Sequence, residues 1–195
     1  MKIILGSSSA GRKLVMNELS QELGFTFEVI SPDIDEKVIR FDNHSDLVMA
    51  IANAKADAIV SKIKEPAILI CSDQVVLYNN KIREKPIDEK EAREFLQSYA
   101  NIHPETIGAI VVVNTETGKR AGGLQTSKIH FKPLPKKIID DHINSGLALS
   151  GAGGFSIHDP ILKDYIDYIE GGFDSATGLS KDLLKKLVKE TDGIL

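Results

Sequence analysis

Hydrophobic positions along this chain switch repeatedly between two periods. Met1 to Leu5 is a short apolar run that stops at a Gly-Ser cluster, which predicts a buried strand. Leu14, Val15, Leu19 and Leu23 recur at helical spacing, and Gly24 closes that pattern as a helix stop. Phe25, Phe27 and Val29 alternate and predict a second strand, followed by the polar loop SPDIDEK. Ser45 or Asp46 is placed to cap an alanine-rich helix from about 47 to 62. The apolar run 67–72 ends at Asp73; 74–78, the turn Asn79-Asn80 and 81–83 then predict a hairpin.

Further on, Asp88 caps a predicted helix over 89–99. The stretches 107–114 and 123–131 predict two long strands joined by TETGKR. Pro135 opens a helix to about 145, the glycine-rich LSGAGGF follows, and 161–168 reads as helical or irregular. A last helix is predicted over 180–190. Strands and helices alternate, so the class is α/β, and no repeat, low-complexity segment or linker divides the chain. One domain of two lobes, spanning 1–195, is the expected organisation.

Composition narrows the functional classes. The 195 residues are 42% hydrophobic and 27% charged, ordinary for a globular protein. A formal net charge of −4 disfavours a protein that coats polynucleotides, which carries a basic excess, but leaves room for a small anionic ligand held by a local positive cluster. The single cysteine, Cys71, lies in an apolar strand and reads as a buried hydrophobe. No apolar run reaches the ~18–20 residues that span a bilayer, and the first residues are too short a run for a secretory signal core, so the expected location is cytoplasmic.

Five segments could carry chemistry. In ILGSSSAGRK a strand enters a Ser-rich turn before a helix, whose N-terminal amides and positive dipole end favour phosphate. Ser7, Ser8 and Ser9 add hydroxyls, Arg12 a two-pronged donor and Lys13 a point charge. The P-loop spacing is absent, and a serine-capped junction with a solvated basic pair reads equally well. In SPDIDEK, Asp33, Asp35 and Glu36 could ligate Mg²⁺, or simply solvate a turn. Asp73 stands where an apolar strand is expected to end, a place where α/β folds put ligands, and equally where a strand-terminating turn puts an aspartate. Lys85, held extended before Pro86, and Lys55, amid small alanines on its helix, could each reach a phosphate. The glycines of SGAGGF admit a close backbone approach to a flat ligand, and His158 follows.

The order of these elements resembles the Maf family from end to end: strand–SSS–Arg, DIDEK, A-x-A-K-A, SDQVV, EKP, AGG-Phe and FDSATGLS. The wording is similar to eukaryotic Maf-like proteins. That resemblance implies an elongated mixed sheet flanked by helices, two lobes around a central cleft, and a fold shared with inosine triphosphate pyrophosphatases. It also implies hydrolysis of a nucleoside triphosphate to monophosphate and pyrophosphate with Mg²⁺ or Mn²⁺, on a pyrimidine or a modified base. By position, it implies phosphate binding by Ser7 to Ser9, Arg12 and Lys13, and catalysis by Glu36, Lys55, Asp73 and Lys85, with Glu36 and Asp73 also holding the metal. Gln74, Phe155 and His158 fall on its base side. The family's first arginine is replaced by Gly11, and its usual Gln or Glu after the aromatic by His158. Homodimers are common in the family. The alternatives are an inosine or xanthosine triphosphate pyrophosphatase and a non-catalytic nucleotide-binding regulator of cell division.

Overall fold

A computed structural model describes all residues, 1–195. It is a mixed α/β architecture. The strands are β1 (Lys2–Gly6), β2 (Glu28–Val29), β3 (Ala67–Tyr78), β4 (Lys81–Arg83), β5 (Glu105–Asn114), β6 (Arg120–Phe131) and β7 (Ile166–Glu170). The helices are α1 (Ala10–Leu23), α2 (His44–Val60), α3 (Glu89–Ser98), α4 (Lys136–Asn144), α5 (Phe173–Thr177) and α6 (Lys181–Glu190). Hydrogen bonding orders the strands β2-β1-β3-β5-β6-β7, with β4 on β3. β1 runs parallel to β2 and β3, whereas the β3–β4 and β6–β7 pairs are antiparallel, so the sheet is mixed.

The chain forms two compact units. The first comprises Met1–Gln74, Gly108–Gln125 and Thr177–Leu195; the second comprises Val75–Ile107 and Thr126–Ala176. The first unit's core is aliphatic: Ile3 and Leu5 of β1, Val15, Met16 and Leu19 of α1, Ile68 and Ile70 of β3, and Leu184, Leu187 and Val188 of α6. Each such side chain, fully buried, contributes roughly 1.5–3 kcal/mol of transfer free energy. The second unit's core is built on aromatic rings. Tyr99 stacks on Phe131 at 5.6 Å, and Phe155 meets both rings edge-on.

Local signals set most of the element ends. Ser9 caps α1 by accepting from the Arg12 amide, and Gly24 ends the helix with φ 76°, left-handed backbone in which a Cβ would be strained. Asn79 and Asn80 both have positive φ, as a two-residue hairpin turn of type I′ demands. Asp88 caps α3 as its sequence position predicts, and Ser180, expected as the first residue of the last helix, is instead the cap of α6.

Other expectations are corrected. α2 begins earlier than predicted, because the Asn43 side chain accepts from the Ser45 and Asp46 amides and caps the helix upstream of both. Leu14 and Leu23 are exposed at 43% and 45%; the buried stripe of α1 runs through Val15, Met16 and Leu19 instead. Only Glu28–Val29 of the second predicted strand pairs, while Phe25 and Phe27 pack against the first core. The segment expected to be helical or irregular over 161–168 holds a 3₁₀ turn at Lys163–Tyr165 and then β7, a strand fixed by pairing Ile169 with Ile129 of β6. Partners so distant in sequence leave no local trace.

Candidate active site

Lys55 is the anomaly from which the site is built. Ile51, Lys55 and Ile59 follow one another at i+4 on α2, so the lysine lies on the helix's buried stripe, and its side chain is only 7% exposed. A lysine there is costly to bury unless it is paired. Its Nζ lies 2.7 Å from Asp73 Oδ1 and 2.8 Å from Glu36 Oε1. Asp73 is buried with it, at 8%, whereas Glu36 is half open to solvent at 48%. Each carboxylate spends one oxygen on the ammonium, and the other takes no bond from the protein.

Asp73 does not end its strand. β3 continues unbroken to Tyr78, and the strand that ends is its neighbour: Gly6, the last residue of β1, pairs with Cys71. Asp73 therefore projects from a strand whose parallel partner has stopped two residues earlier. A buried aspartate is tolerated within the strand because Lys55 neutralises it.

The chain leaving β1 becomes the Ser7–Ser9 turn and then α1. Ser7 is buried, and its Oγ accepts from the Ser9 amide at 3.2 Å and from Arg12 Nη1 at 3.5 Å. Arg12 Nε donates to the Gly178 carbonyl at 3.3 Å. Burial lowers the guanidinium pKa, and the negative charges of Asp73 and Glu36 oppose that shift. Arg12 stays a cation at neutral pH. Gly178 has φ 106°, and a Cβ there would lie 3.0 Å from Arg12 Nε, so glycine is required for this approach. The motif FDSATGLS signals this residue, but nothing local in it states that its carbonyl meets Arg12, 166 positions earlier.

In this first unit the fold thus brings together Ser7, Ser9, Arg12, Glu36, Lys55 and Asp73. Of the three loop carboxylates only Glu36 reaches Lys55; Asp35 instead caps the turn Glu36–Val38 by accepting from the Lys37 amide, and Asp33 is exposed. Ser8 is exposed and Lys13 half-buried. Gln74 follows Asp73 and is half-buried, its amide oxygen 3.2 Å from where a Gly178 Cβ would be. Cys71 is fully buried, and burial pushes its thiol up to about 12, which removes it as a nucleophile.

The remaining predicted residues belong to the second unit. Lys85 is exposed between β4 and α3 and makes no ion pair. Phe155 is a core residue, 7% exposed, with its ring edge-on to Tyr99 and Phe131. His158 is half-buried and meets the Phe173 ring edge-on at 5.0 Å.

No three His, Cys, Asp or Glu side chains gather to form a cage for a metal ion. No helix is long and apolar enough to cross a membrane.

Comparison with known proteins gives a consistent set of likenesses. The family model described as Maf-like protein matches residues 2–191. A 7-methyl-GTP pyrophosphatase of Dictyostelium discoideum is 41% identical, over 96% of each chain. A dTTP/UTP pyrophosphatase of Bdellovibrio bacteriovorus is 31% identical over 96% of this chain and 97% of its own. Among solved structures, a HAM1 protein from Coxiella burnetii aligns with a TM-score of 0.45 at 16% identity, covering 97% of this chain and 99% of that one.

Proposed function

This chain belongs to the Maf-like protein family, and we propose that it hydrolyses a nucleoside triphosphate to the monophosphate and pyrophosphate, with 7-methyl-GTP as its preferred substrate. The observation that carries the reading is Lys55 buried between Asp73 and Glu36 in the unit that also holds Arg12 on the Ser7–Ser9 turn. The choice of base rests on the 41% identity to the 7-methyl-GTP enzyme, against 31% to a dTTP/UTP enzyme.

In this mechanism the α1 N-terminus and the serine turn receive phosphate oxygens through their amides and hydroxyls. Arg12, already oriented by Gly178, adds a forked donor. Asp73 orients the attacking water and accepts its proton. The new bond forms from water oxygen to the α-phosphorus, and the bridge to the β-phosphate breaks, releasing pyrophosphate. Lys55 fixes both carboxylates and offsets the charge of the phosphate chain. Lys13 and Lys85 add positive charge for the phosphates, and Gln74, Phe155 and His158 act on the base, Phe155 through the core packing that shapes its segment.

A divalent cation, Mg²⁺ or Mn²⁺, fits the donor set. Such an ion takes one or two protein carboxylates and completes its shell with water and substrate phosphates, and Glu36 and Asp73 each have one oxygen not engaged by Lys55. Those two residues would hold it, and it would supply charge stabilisation of the leaving pyrophosphate. A cytoplasmic homodimer is the setting proposed, tested by light scattering of the purified protein.

The activity test is pyrophosphate release across 7-methyl-GTP, GTP, dTTP, UTP, CTP and ITP with Mg²⁺ or Mn²⁺. Turnover fastest on 7-methyl-GTP, abolished by EDTA, is the expected result. Asp73→Asn should lose about a hundred- to a thousand-fold in rate while keeping the native circular dichroism. A folded Asp73→Asn that retains half the activity removes Asp73 from the mechanism.

A further inference from the structure

We infer that Gln125 is a positioning residue for the reaction: it fixes the turn Gly178–Ser180, and through that turn the direction of the Arg12 guanidinium. The inference rests on the pyrophosphatase reading only for what Arg12 grips, the phosphate chain.

Gln125 is out of place by the hydrophobic pattern of its strand. Alternate residues of β6 share a face, and Gln125, Ser127, Ile129 and Phe131 are all buried on the same one. A glutamine there, 7% exposed, is costly to bury unless its amide is paired. Its Oε1 accepts from the Ser180 amide at 2.8 Å, 55 residues later. Two glycines make that reach possible. Gly123, on the same face of β6, lets α6 pack so close that a Cβ there would lie 2.7 Å from Leu183 Cδ1. Gly108 of the neighbouring β5 leaves the glutamine its space, since a Cβ there would lie 3.3 Å from both Gln125 Cγ and Nε2.

The bond to Ser180 is placed to control a carbonyl. The Ser180 N–H belongs to the peptide after Leu179 and the Gly178 carbonyl to the peptide before it, so the two planes share the Leu179 Cα. Leu179 is fully buried in the aliphatic core, which anchors that Cα but does not by itself set the tilt of the peptides on either side. Gln125 fixes the tilt on the Ser180 side, and the Ser180 Oγ ties the turn to α6 by accepting from the Leu183 amide at 3.4 Å. The Gly178 carbonyl is then held toward Arg12, whose Nε donates to it at 3.3 Å. Arg12 Nη1 meets Ser7 Oγ at 3.5 Å, on the phosphate turn. A planar guanidinium held at Nε and Nη1 has one orientation left for its remaining donors, which is what a forked phosphate contact needs.

The test compares the wild-type chain with Gln125→Met, which keeps the side-chain length and removes the acceptor, on the nucleotide turned over fastest. In the folded variant kcat/KM should fall about three- to ten-fold, the worth of one net hydrogen bond, with the loss mainly in KM. In an Arg12→Ala background the same substitution should change kcat/KM by less than about two-fold, because the residue it acts through is gone. The Arg12 Nε proton, identified in NMR spectra by its loss in Arg12→Ala, should exchange with water about three- to ten-fold faster in Gln125→Met, nucleotide present or not. Should Gln125→Met not fold, Gln125→Asn, whose amide falls one methylene short of Ser180, takes its place in all three measurements. Unchanged kcat/KM in a folded variant, equal losses with and without Arg12, or an unchanged Arg12 proton overturns the inference and leaves the pyrophosphatase reading standing. Failure of that reading looks different: the wild type releases no pyrophosphate from any nucleotide, and the Arg12 proton alone then decides whether Gln125 sets the guanidinium.

Discussion

In the first unit Lys55 meets two carboxylates and leaves one oxygen on each unused; in the second, His142 and Asp159 are buried side by side and tied to backbone groups. His142 Nε2 donates to the Gly154 carbonyl at 2.9 Å, and its Nδ1 lies 3.1 Å from Asp159 Oδ2. The other oxygen of Asp159 accepts from the Ile161 and Leu162 amides at 2.7 and 3.1 Å. Both clusters bury ionisable groups, yet only the first has a half-exposed member, Glu36, while His142 and Asp159 are both sealed from solvent. A closed network of this kind ties α4 to the glycine-rich segment and holds a shape. An open one has capacity left for water, a metal or substrate. Access from solvent, rather than the burial of charge as such, separates the two roles.

Replacing the central basic residue of each cluster is the sharpest way to break that comparison. Lys55→Met should abolish turnover and cost about 3–5 kcal/mol of stability, because it strands Asp73 as a buried, unpaired carboxylate. Denaturant unfolding and pyrophosphate release measure the two losses. His142→Ala should cost a similar 3–5 kcal/mol, or roughly 6–20 °C in Tm for a chain of this size, by stranding Asp159. Its kcat at a temperature where it is folded should stay near wild type. A His142→Ala protein with native Tm and no turnover would reverse the assignment of roles.

Arg12→Ala should have a smaller effect, about ten- to a hundred-fold in kcat/KM, since one charge-assisted contact to phosphate is lost and the amides of the α1 N-terminus remain. Arg12→Lys should recover only part of this, because an ammonium lacks the fork that meets Ser7 and Gly178 together. Full activity in the lysine variant would reduce Arg12 to a point charge.

The smallest effect is one the units share. Burial pushes the Cys71 thiol of the first and the Tyr99 phenol of the second up to about 12. The unfolded chain loses these protons first, near 9.0 and 10.0, so the folded state binds more protons across that window. Stability should therefore fall progressively as pH rises above about 9. Urea midpoints between pH 8 and 11 check this, and Cys71→Ala should flatten the first part of the decline.

Much of the fold was legible before any coordinates. The strand–Ser–helix entry, the Gly24 stop, the Asn79-Asn80 hairpin and the Asp88 cap are each written within about four residues. They act through backbone dihedrals and short-range hydrogen bonds, which the local sequence fully specifies. The order of motifs also pointed to the family and its chemistry. The i+4 placement of Lys55 between Ile51 and Ile59 was a readable warning of a buried charge, although it named no partner.

Tertiary structure alone decided the rest. Lys55 finds Asp73 and Glu36 eighteen and nineteen residues away, and Arg12 finds Gly178 across 166. Asp73 looked like a strand end because an apolar run stopped there, but β3 runs on, and only its pairing with β1 shows which strand terminates. Phe155 looked available to a base until Tyr99 and Phe131 closed around it, while Tyr168 and Phe173 gave no signal of standing open on one pocket. The sequence determines which residues turn, cap and pair locally. Which charges are desolvated together, and which rings stay uncovered, depends on packing between distant segments, where the energy of burial is settled.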